Sequence, residues 1–420
     1  MTILELTIDD VGTQGDGIAH HGNETIFISG ALTGERVRAD VPDNDNMVKR
    51  GQLLEILIPC SLRNDPPCVH FSKCGGCQFQ HMKDGAYTNV KLGQLQQTLI
   101  RAGLPLPSMM PVVTTAIQTR RRARFVAHRD KTGLVTLGFN EWRSHAIVPI
   151  TMCSVMLPAI TALLEPLKKH LSLWLPQDMG CDIQVTALPD GLDVVLIGGP
   201  KLEMDQRHNL AALAQALGVA HLSWRKWDRS PVEPIAHAHP LTVRFGITQL
   251  PFPPASFLQA TEAGESALIN FATTHDEKGM RVLDLFCGLG GFGLSFENVK
   301  SVHFADLDGP AIESLQRAAQ ASGRYQVSLR NLMGDPFTTG ECNDYNLVIF
   351  DPPRSGAKAQ AAHLAQSDVP EIVAVSCDPA SFARDAKILI QGGYTLEKML
   401  PVDQFLWSPH MELAARFTKK

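Results

Sequence analysis

The chain has 420 residues, 44% of them hydrophobic and 19% charged, which is enough for roughly two to four domains with full cores. Its formal net charge of −5 excludes a globally basic nucleic-acid binder and leaves any such contact to a local patch. Acidic residues stand near the N-terminus where a signal peptide would be basic, and no run approaches the about 18 apolar residues of a membrane span. The expectation is a cytoplasmic protein with no membrane partner.

Residues 1–58 alternate short β-type runs with glycine turns: Gly15-Asp-Gly17, Thr25-Ile-Phe-Ile28, Gly34-Glu-Arg-Val37, and finally Gln52-Leu-Leu-Glu-Ile-Leu-Ile58. Such spacing predicts a small all-β barrel of the kind that often binds oligonucleotides, the rival reading being a β module with only a structural role.

The cysteine segment follows: Cys68-Val-His-Phe-Ser-Lys-Cys74-Gly-Gly-Cys77. Three thiols this close, with a Gly-Gly pair that lets backbone fold over them, point to a soft metal centre. An iron–sulfur cluster or a closed zinc site wants four thiolates, and the next cysteine in the chain is Cys153. In a reducing compartment the nine cysteines read as metal ligands, a nucleophile and core residues, not as disulfides.

A helix is predicted from Tyr87 to about Ala102, with Val90, Leu92, Leu95 and Leu99 on one side. Arg120-Arg121-Arg122-Ala-Arg124-Phe125 then places four arginines beside an aromatic, either a phosphate-binding strand or a solvated strand face. Strand-like runs follow at 134–139 and 146–150, and residues 155–245 read as mixed α/β. The pairs His20/His21 and His237/His239 read as surface or core histidines.

The last third changes character. Arg281-Val-Leu-Asp-Leu-Phe-Cys287 is an apolar strand, and the turn Gly288-Leu-Gly290-Gly291-Phe-Gly293 runs into a predicted helix. The strand Val302-His-Phe-Ala-Asp306 comes next, then a helix over 310–321 and strands at 345–350, 372–376 and 394–400. This alternation predicts a doubly wound, mainly parallel sheet with its ligands at the carboxyl ends of the strands. Strand, glycine turn and an acid closing the next strand form a nucleoside site, with Asp306 placed to accept from ribose hydroxyls. The turn lacks the G-x-G-x-x-G spacing of a dinucleotide site, so S-adenosylmethionine, which has ribose and adenine but no phosphate, fits better.

Three further motifs carry chemistry. Asp351-Pro352-Pro353-Arg354 puts a carboxylate at the end of the strand over 347–350. Ser376-Cys377-Asp378-Pro379 puts a thiol at the end of another strand and the start of a helix, where a lowered thiol pKa is expected. Ser408-Pro409-His410-Met411-Glu412 brings a carboxylate close to an imidazole in sequence. These parts suit one reaction. The C5 carbon of uracil is a poor nucleophile until a thiolate adds at C6, and a base must then remove the C5 proton so that the thiolate can leave. The base to be methylated must leave its stack.

The chain therefore resembles the RNA uracil-5-methyltransferases, closest to the iron–sulfur branch that modifies 23S ribosomal RNA. The resemblance covers nearly the whole chain. It rests on Asp284-Leu-Phe-Cys-Gly288, Asp351-Pro-Pro-Arg354, Ser376-Cys377-Asp-Pro379 and His410-Met-Glu412, together with a TRAM-like barrel and the cysteine segment. It implies a class I, Rossmann-like S-adenosylmethionine methyltransferase domain at 251–420. A TRAM-like, OB-like RNA-binding barrel is implied at 1–58, and between them a mixed α/β central domain at 59–250 carrying a 4Fe–4S cluster on Cys68, Cys74, Cys77 and Cys153. Cys377 is implied as the nucleophile and Glu412 as the proton-abstracting base. Gln259, Phe286, Gly288, Gly291, Asp306, Asp335 and Asp351 are implied around the donor and uracil.

The expected enzyme is a cytoplasmic monomer that takes RNA as its partner, with 23S rRNA the expected target. The barrel and the strand Arg120–Arg124 would hold flanking RNA, and Phe71, Phe79 and His81 are candidates to stack on bases. The chain departs from the family at a few positions: Thr261 and Gly291 stand where Asn is usual, Asp306 where Glu is common, and Phe405-Leu-Trp-Ser-Pro-His410 where Phe-Pro-(His/Thr)-x-His is usual. The alternatives are the tRNA-modifying branch, whose members generally lack barrel and cluster, a non-catalytic RNA-binding iron–sulfur protein and, more remotely, a redox enzyme.

Overall fold

In the strand Arg36–Val41, Val37, Ala39 and Val41 point inward while Arg36 is exposed, the alternation a half-buried strand requires. Its neighbours are Thr2–Thr7, paired antiparallel, and the long strand Val48–Ile58. Val48–Ile58 also pairs in parallel with Glu24–Ser29 at its other end, and its pairing with Arg36–Val41 is broken by two bulges. Bulges bend a strand, so one strand serves both halves of a six-stranded sheet wrapped over Leu6, Ile8, Ala19, Ile26, Ile28 and Val37. The expected N-terminal all-β module is present as a six-stranded sheet.

The computed structural model describes residues 2–320 and 322–419, and the chain divides into two compact units. One comprises residues 1–97, 139–148 and 405–410; the other comprises 98–138, 149–404 and 411–420. In the first unit Glu35 is fully buried and is held by the Arg63 guanidinium at 2.5 and 2.7 Å and by the Leu32 backbone N–H at 2.9 Å. Burial pushes the Glu35 carboxyl up, but the Arg63 and backbone hydrogen bonds outweigh it and leave the pKa lowered. The predicted helix near residue 87 runs over Asp84–Arg101.

The second unit carries two large sheets, with a two-stranded one formed by Thr242–Phe245 and Thr248–Pro251. In one, Arg122–Arg129, Met179–Leu188, Gly191–Gly198, His221–Arg225 and Glu233–His237 lie side by side, with the helices Leu164–Trp174 and Met204–Leu217 in the connections. The other has the strand order Tyr325–Leu329, Ser301–Asp306, Arg281–Leu285, Leu347–Phe350, Glu371–Ser376, Glu412–Thr418, Thr395–Asp403. The first five of these are parallel, and Glu412–Thr418 runs antiparallel to both its neighbours. The chain order reverses at Arg281–Leu285, so a topological switch point lies beside that strand, where doubly wound sheets open a crevice. Among the described residues no helix is long and apolar enough to cross a membrane.

One predicted element differs. The glycine turn does not lead into a regular helix but into a single 3-10 turn, Gly293–Ser295, before the strand Ser301–Asp306. The glycines themselves explain this. Gly290 has φ of +79°, and a Cβ there would meet Leu315 at 2.7 Å and Phe304 at 3.0 Å. A Cβ at Gly293 would meet Phe304 at 2.3 Å. At these two positions the turn is pressed against its neighbours and leaves no room for a side chain. Gly290→Ala is therefore expected to lose about 2–4 kcal/mol, a left-handed-backbone penalty plus overpacking, in equilibrium denaturant unfolding.

Candidate active site

Register brings the functional side chains together. Leu285 pairs with Phe350, so Phe286 and Asp351 leave the sheet side by side, and the Asp351 N–H donates to the Leu285 carbonyl at 3.3 Å. Phe350 pairs with Ala374 and Ser376 pairs with Leu413. Cys377 therefore emerges next to the strand that begins with Glu412. Phe286, Asp351 and Cys377 occupy successive carboxyl ends of parallel strands, and Glu412 enters from the amino end of the antiparallel one.

The donor side follows the predicted pattern. Phe286 has φ of +58°, a conformation that costs a non-glycine residue of order 1–3 kcal/mol and is held by its surroundings at functional sites. Asp306 accepts from the Gly288 N–H at 2.8 Å and from the Asp308 N–H at 2.9 Å, tying the glycine turn to the next strand end. Gln259, Phe286, Gly288, Gly291, Phe292 and Asp351 line one concavity here. Strand ends, a glycine turn that exposes backbone and an acid beside it fit the adenosyl part of S-adenosylmethionine. At Gly291 the space that a family Asn would occupy is taken: a Cβ would meet the Phe245 ring at 3.2 Å. Thr261, the other departure, caps the helix Glu262–Ala272 by accepting from the Gly264 N–H at 3.1 Å. Asp335 is not among the residues lining this concavity. Its side chain is 70% exposed and pairs with Arg330 at 3.0 Å.

The second half of the site is a buried hydrogen-bond chain. Gln259 Nε2 donates to Asp351 Oδ2 at 3.1 Å, Gln404 Nε2 donates to Gln259 Oε1 at 2.7 Å, and Gln404 Nε2 also donates to Glu412 Oε2 at 2.9 Å. Glu412 is 3% exposed and Gln404 1%. Burial, opposed by the Gln259 hydrogen bond, pushes Asp351 up to about 7. Burial and the Asp351 charge push Glu412 up to about 8. Asp284, fully buried beneath the turn and accepting from the Gly293 N–H at 2.8 Å, is pushed up by burial to about 8. A site in which carboxyls share protons near neutrality suits acid–base work.

Cys377 corrects an expectation. Its thiol is raised to about 12, first by burial and then by the charges of Glu412 and Asp351. The helix Pro379–Gln391 does not reverse this, because its N-terminal N–H groups are already used: Asp378 accepts from Ala380 and Ser381 at 3.0 and 2.9 Å.

The arginine run is a second correction. Arg121 is buried, donates to the Gln259 carbonyl at 2.9 Å and pairs with Glu265 at 2.6 Å. Arg122 donates to the Leu258 carbonyl at 2.7 Å and lies over the Phe257 ring at 4.3 Å. Arg124, on the exposed face, is paired with Asp182 and Asp228. Two of the four arginines thus clamp the segment 257–259 and with it the Gln259 side chain. Their sequence signature, charge beside aromatic, is the same for RNA contact and for an internal clamp.

The stacking candidates also change. Phe79 and His81 are buried, and Phe71 packs on His81 with ring centroids 5.4 Å apart. Cys68, Cys74, Cys77 and Cys153 are all half-buried, and Cys74 Sγ accepts from the Gly76 N–H at 3.4 Å. The donors are of the right kind. They are not gathered as a cluster requires, since among the described residues no group of three or more His, Cys, Asp or Glu side chains is arranged to hold a metal ion. The cluster stays an expectation from spacing and resemblance, and no step below runs through it.

Comparison with known proteins adds to this geometry. A family model described as tRNA (uracil-5-)-methyltransferase matches residues 185–420, and a TRAM domain model matches residues 2–54. An uncharacterized RNA methyltransferase of Brucella melitensis is 38% identical over 99% of this chain and 98% of its own. The 23S rRNA (uracil(1939)-C(5))-methyltransferase of Halomonas elongata is 31% identical over 97% of this chain and 88% of its own. In fold, the crystal structure of Pyrococcus abyssi tRNA (uracil-54, C5)-methyltransferase in complex with S-adenosyl-L-homocysteine covers 99% of both chains with a TM-score of 0.74 at 20% identity.

The arginine clamp can be checked by stability. Arg121→Met leaves the Glu265 carboxyl buried without its partner and is expected to cost about 3–5 kcal/mol in denaturant unfolding. Arg124→Met, on the exposed face, is expected to cost under about 1 kcal/mol.

Proposed function

The chain belongs to the tRNA (uracil-5-)-methyltransferase family, and from that premise we propose that this S-adenosylmethionine-dependent enzyme methylates C5 of a uridine in 23S rRNA through a covalent Cys377–C6 adduct. The observation that supports the reading best is the meeting of Cys377, Asp351 and Glu412 at adjoining strand ends, with both carboxyls pushed above their ordinary range.

The bound donor supplies a sulfonium methyl group. The protein's part is to make a nucleophile of uracil C5 and then to restore the ring. Cys377 sulfur adds to C6 while its proton passes to a facing carboxylate, Asp351 being one that its charge identifies as near. The C5–C6 π pair moves onto the ring carbonyl as an enolate, and C5 takes the methyl, the old S–CH3 pair remaining on the donor sulfur. Glu412 then removes the C5 proton. The C–H pair re-forms the C5–C6 double bond, and the C6–S pair leaves with Cys377 as thiolate. A thiol raised to about 12 does not stand ionised before substrate binds, so its ionisation accompanies addition. Gln259 and Asp351, rigidly paired, offer one amide and one carboxyl to the edge of the pyrimidine.

The choice of 23S rRNA rests on the 31% identity to the Halomonas elongata enzyme across nearly the whole chain. The Pyrococcus abyssi enzyme, likened by fold alone, makes a tRNA uridine the competing target.

Cys377→Ala is expected to reduce RNA methylation to background. Glu412→Gln is expected to slow turnover by about 10²- to 10⁴-fold while a denaturation-resistant protein–RNA band accumulates, because methyl transfer precedes the step it blocks. Wild-type turnover in Cys377→Ala, or no trapped band in Glu412→Gln, contradicts the covalent reading. Loss of one 5-methyluridine from 23S rRNA in a deletion strain supports the target, and loss from tRNA instead overturns it.

A further inference from the structure

The donors and acceptors around Gln404 leave its amide a single orientation. Its Oε1 accepts from the Ala260 backbone N–H at 3.0 Å, so its other end is the donor: one hydrogen goes to Gln259 Oε1 at 2.7 Å and one to Glu412 Oε2 at 2.9 Å. With Gln259 Oε1 committed as an acceptor, Gln259 Nε2 faces Asp351 at 3.1 Å. The two carboxyls of the site are thus joined through two amides whose directions are fixed by one backbone N–H.

We propose that Gln404 is a positioning residue for the second half of the reaction, holding Glu412 in the orientation and the charge state needed to take the C5 proton. The inference rests on the reading of Glu412 as the base. An amide nitrogen has only hydrogens to offer, so it favours the carboxylate of Glu412 over the carboxylic acid. Opposing it are burial and the negative charge of Asp351. Among the described residues the titratable groups that face Glu412 are Asp351, at the end of Leu347–Phe350, and Cys377, at the end of Glu371–Ser376. Neither brings a positive charge. Without the Gln404 donor the carboxyl is left to burial and like charge, and its proton is held to higher pH.

The thiol-addition step meets Gln404 only through Gln259 and does not use Glu412 as base, and the difference between the two steps separates a positioning role from a merely structural one. RNA carrying 5-fluorouridine has no C5 proton to lose, so an adduct forms and is methylated without Glu412 acting as base. With Gln404→Met, adduct formation on 5-fluorouridine RNA is expected to fall less than adduct resolution, since addition loses only the Gln404 hydrogen bond to Gln259. Resolution of the adduct on ordinary RNA at neutral pH is expected to slow roughly tenfold or more, the scale of a hydrogen bond to a charged group. The midpoint of the resolution rate against pH is expected to move up by about one unit. Gln404→Glu, which keeps the shape and replaces donors by acceptors, is the second variant and is expected to shift the midpoint in the same direction. Normal adduct formation with an unmoved midpoint in the variant that folds overturns the inference. If the parent forms no adduct with 5-fluorouridine RNA, the covalent reading itself fails and takes the inference with it.

Discussion

Burial of carboxyl groups at the carboxyl edge of one sheet is the constraint on which the rest of the site depends. Asp284 and Glu412 sit where the sheet and its turns exclude water, Asp351 is half-buried, and each is pushed up to between about 7 and 8. Charge there is tolerated only when hydrogen-bond donors are supplied. Gly293 supplies one to Asp284, Gln259 one to Asp351, and Gln404 one to Glu412. The arginine clamp at 121–122 and the helix cap at Thr261 then read as devices that fix Gln259, the amide that donates to Asp351 and accepts from Gln404.

Much of this was legible in the sequence because it depends on chain order. A strand, a glycine turn and an acid at the next strand end follow from local pattern. Asp351, Cys377 and Glu412 each carry a marker in their flanking residues, whether Pro-Pro, Asp-Pro or His-Met. Gln404 carries no marker. A lone glutamine acquires meaning only when three elements bury it, which no periodicity records. The arginine run was visible, but its partners, Gln259 and Glu265, lie about 140 residues away. The sign of the Cys377 shift was missed for a related reason: the helix start is a local feature, whereas the burial and the two carboxylates that outweigh it are tertiary.

The barrel also changes its meaning. As sequence, barrel and cysteine segment together favoured the ribosomal-RNA branch. A tRNA enzyme that shares the fold over 99% of both chains shows that overall architecture does not separate the two targets. What favours 23S rRNA is the sequence likeness to an enzyme of that specificity. The departures at Thr261 and Gly291 are accommodated without altering the catalytic set: one side chain caps a helix, and at the other position Phe245 fills the space.

Asp351, half-buried, and Glu412, buried, are thereby expected to exchange protons with solvent near neutral pH. Infrared difference spectroscopy of the free protein across pH tests it most directly, since a protonated carboxyl absorbs apart from a carboxylate. A protonated-carboxyl band is expected to persist at pH 7, to titrate between about pH 6 and 9, and to weaken in Glu412→Gln and in Asp351→Asn. Complete ionisation of both groups by about pH 5.5, with no band lost in either variant, would contradict it.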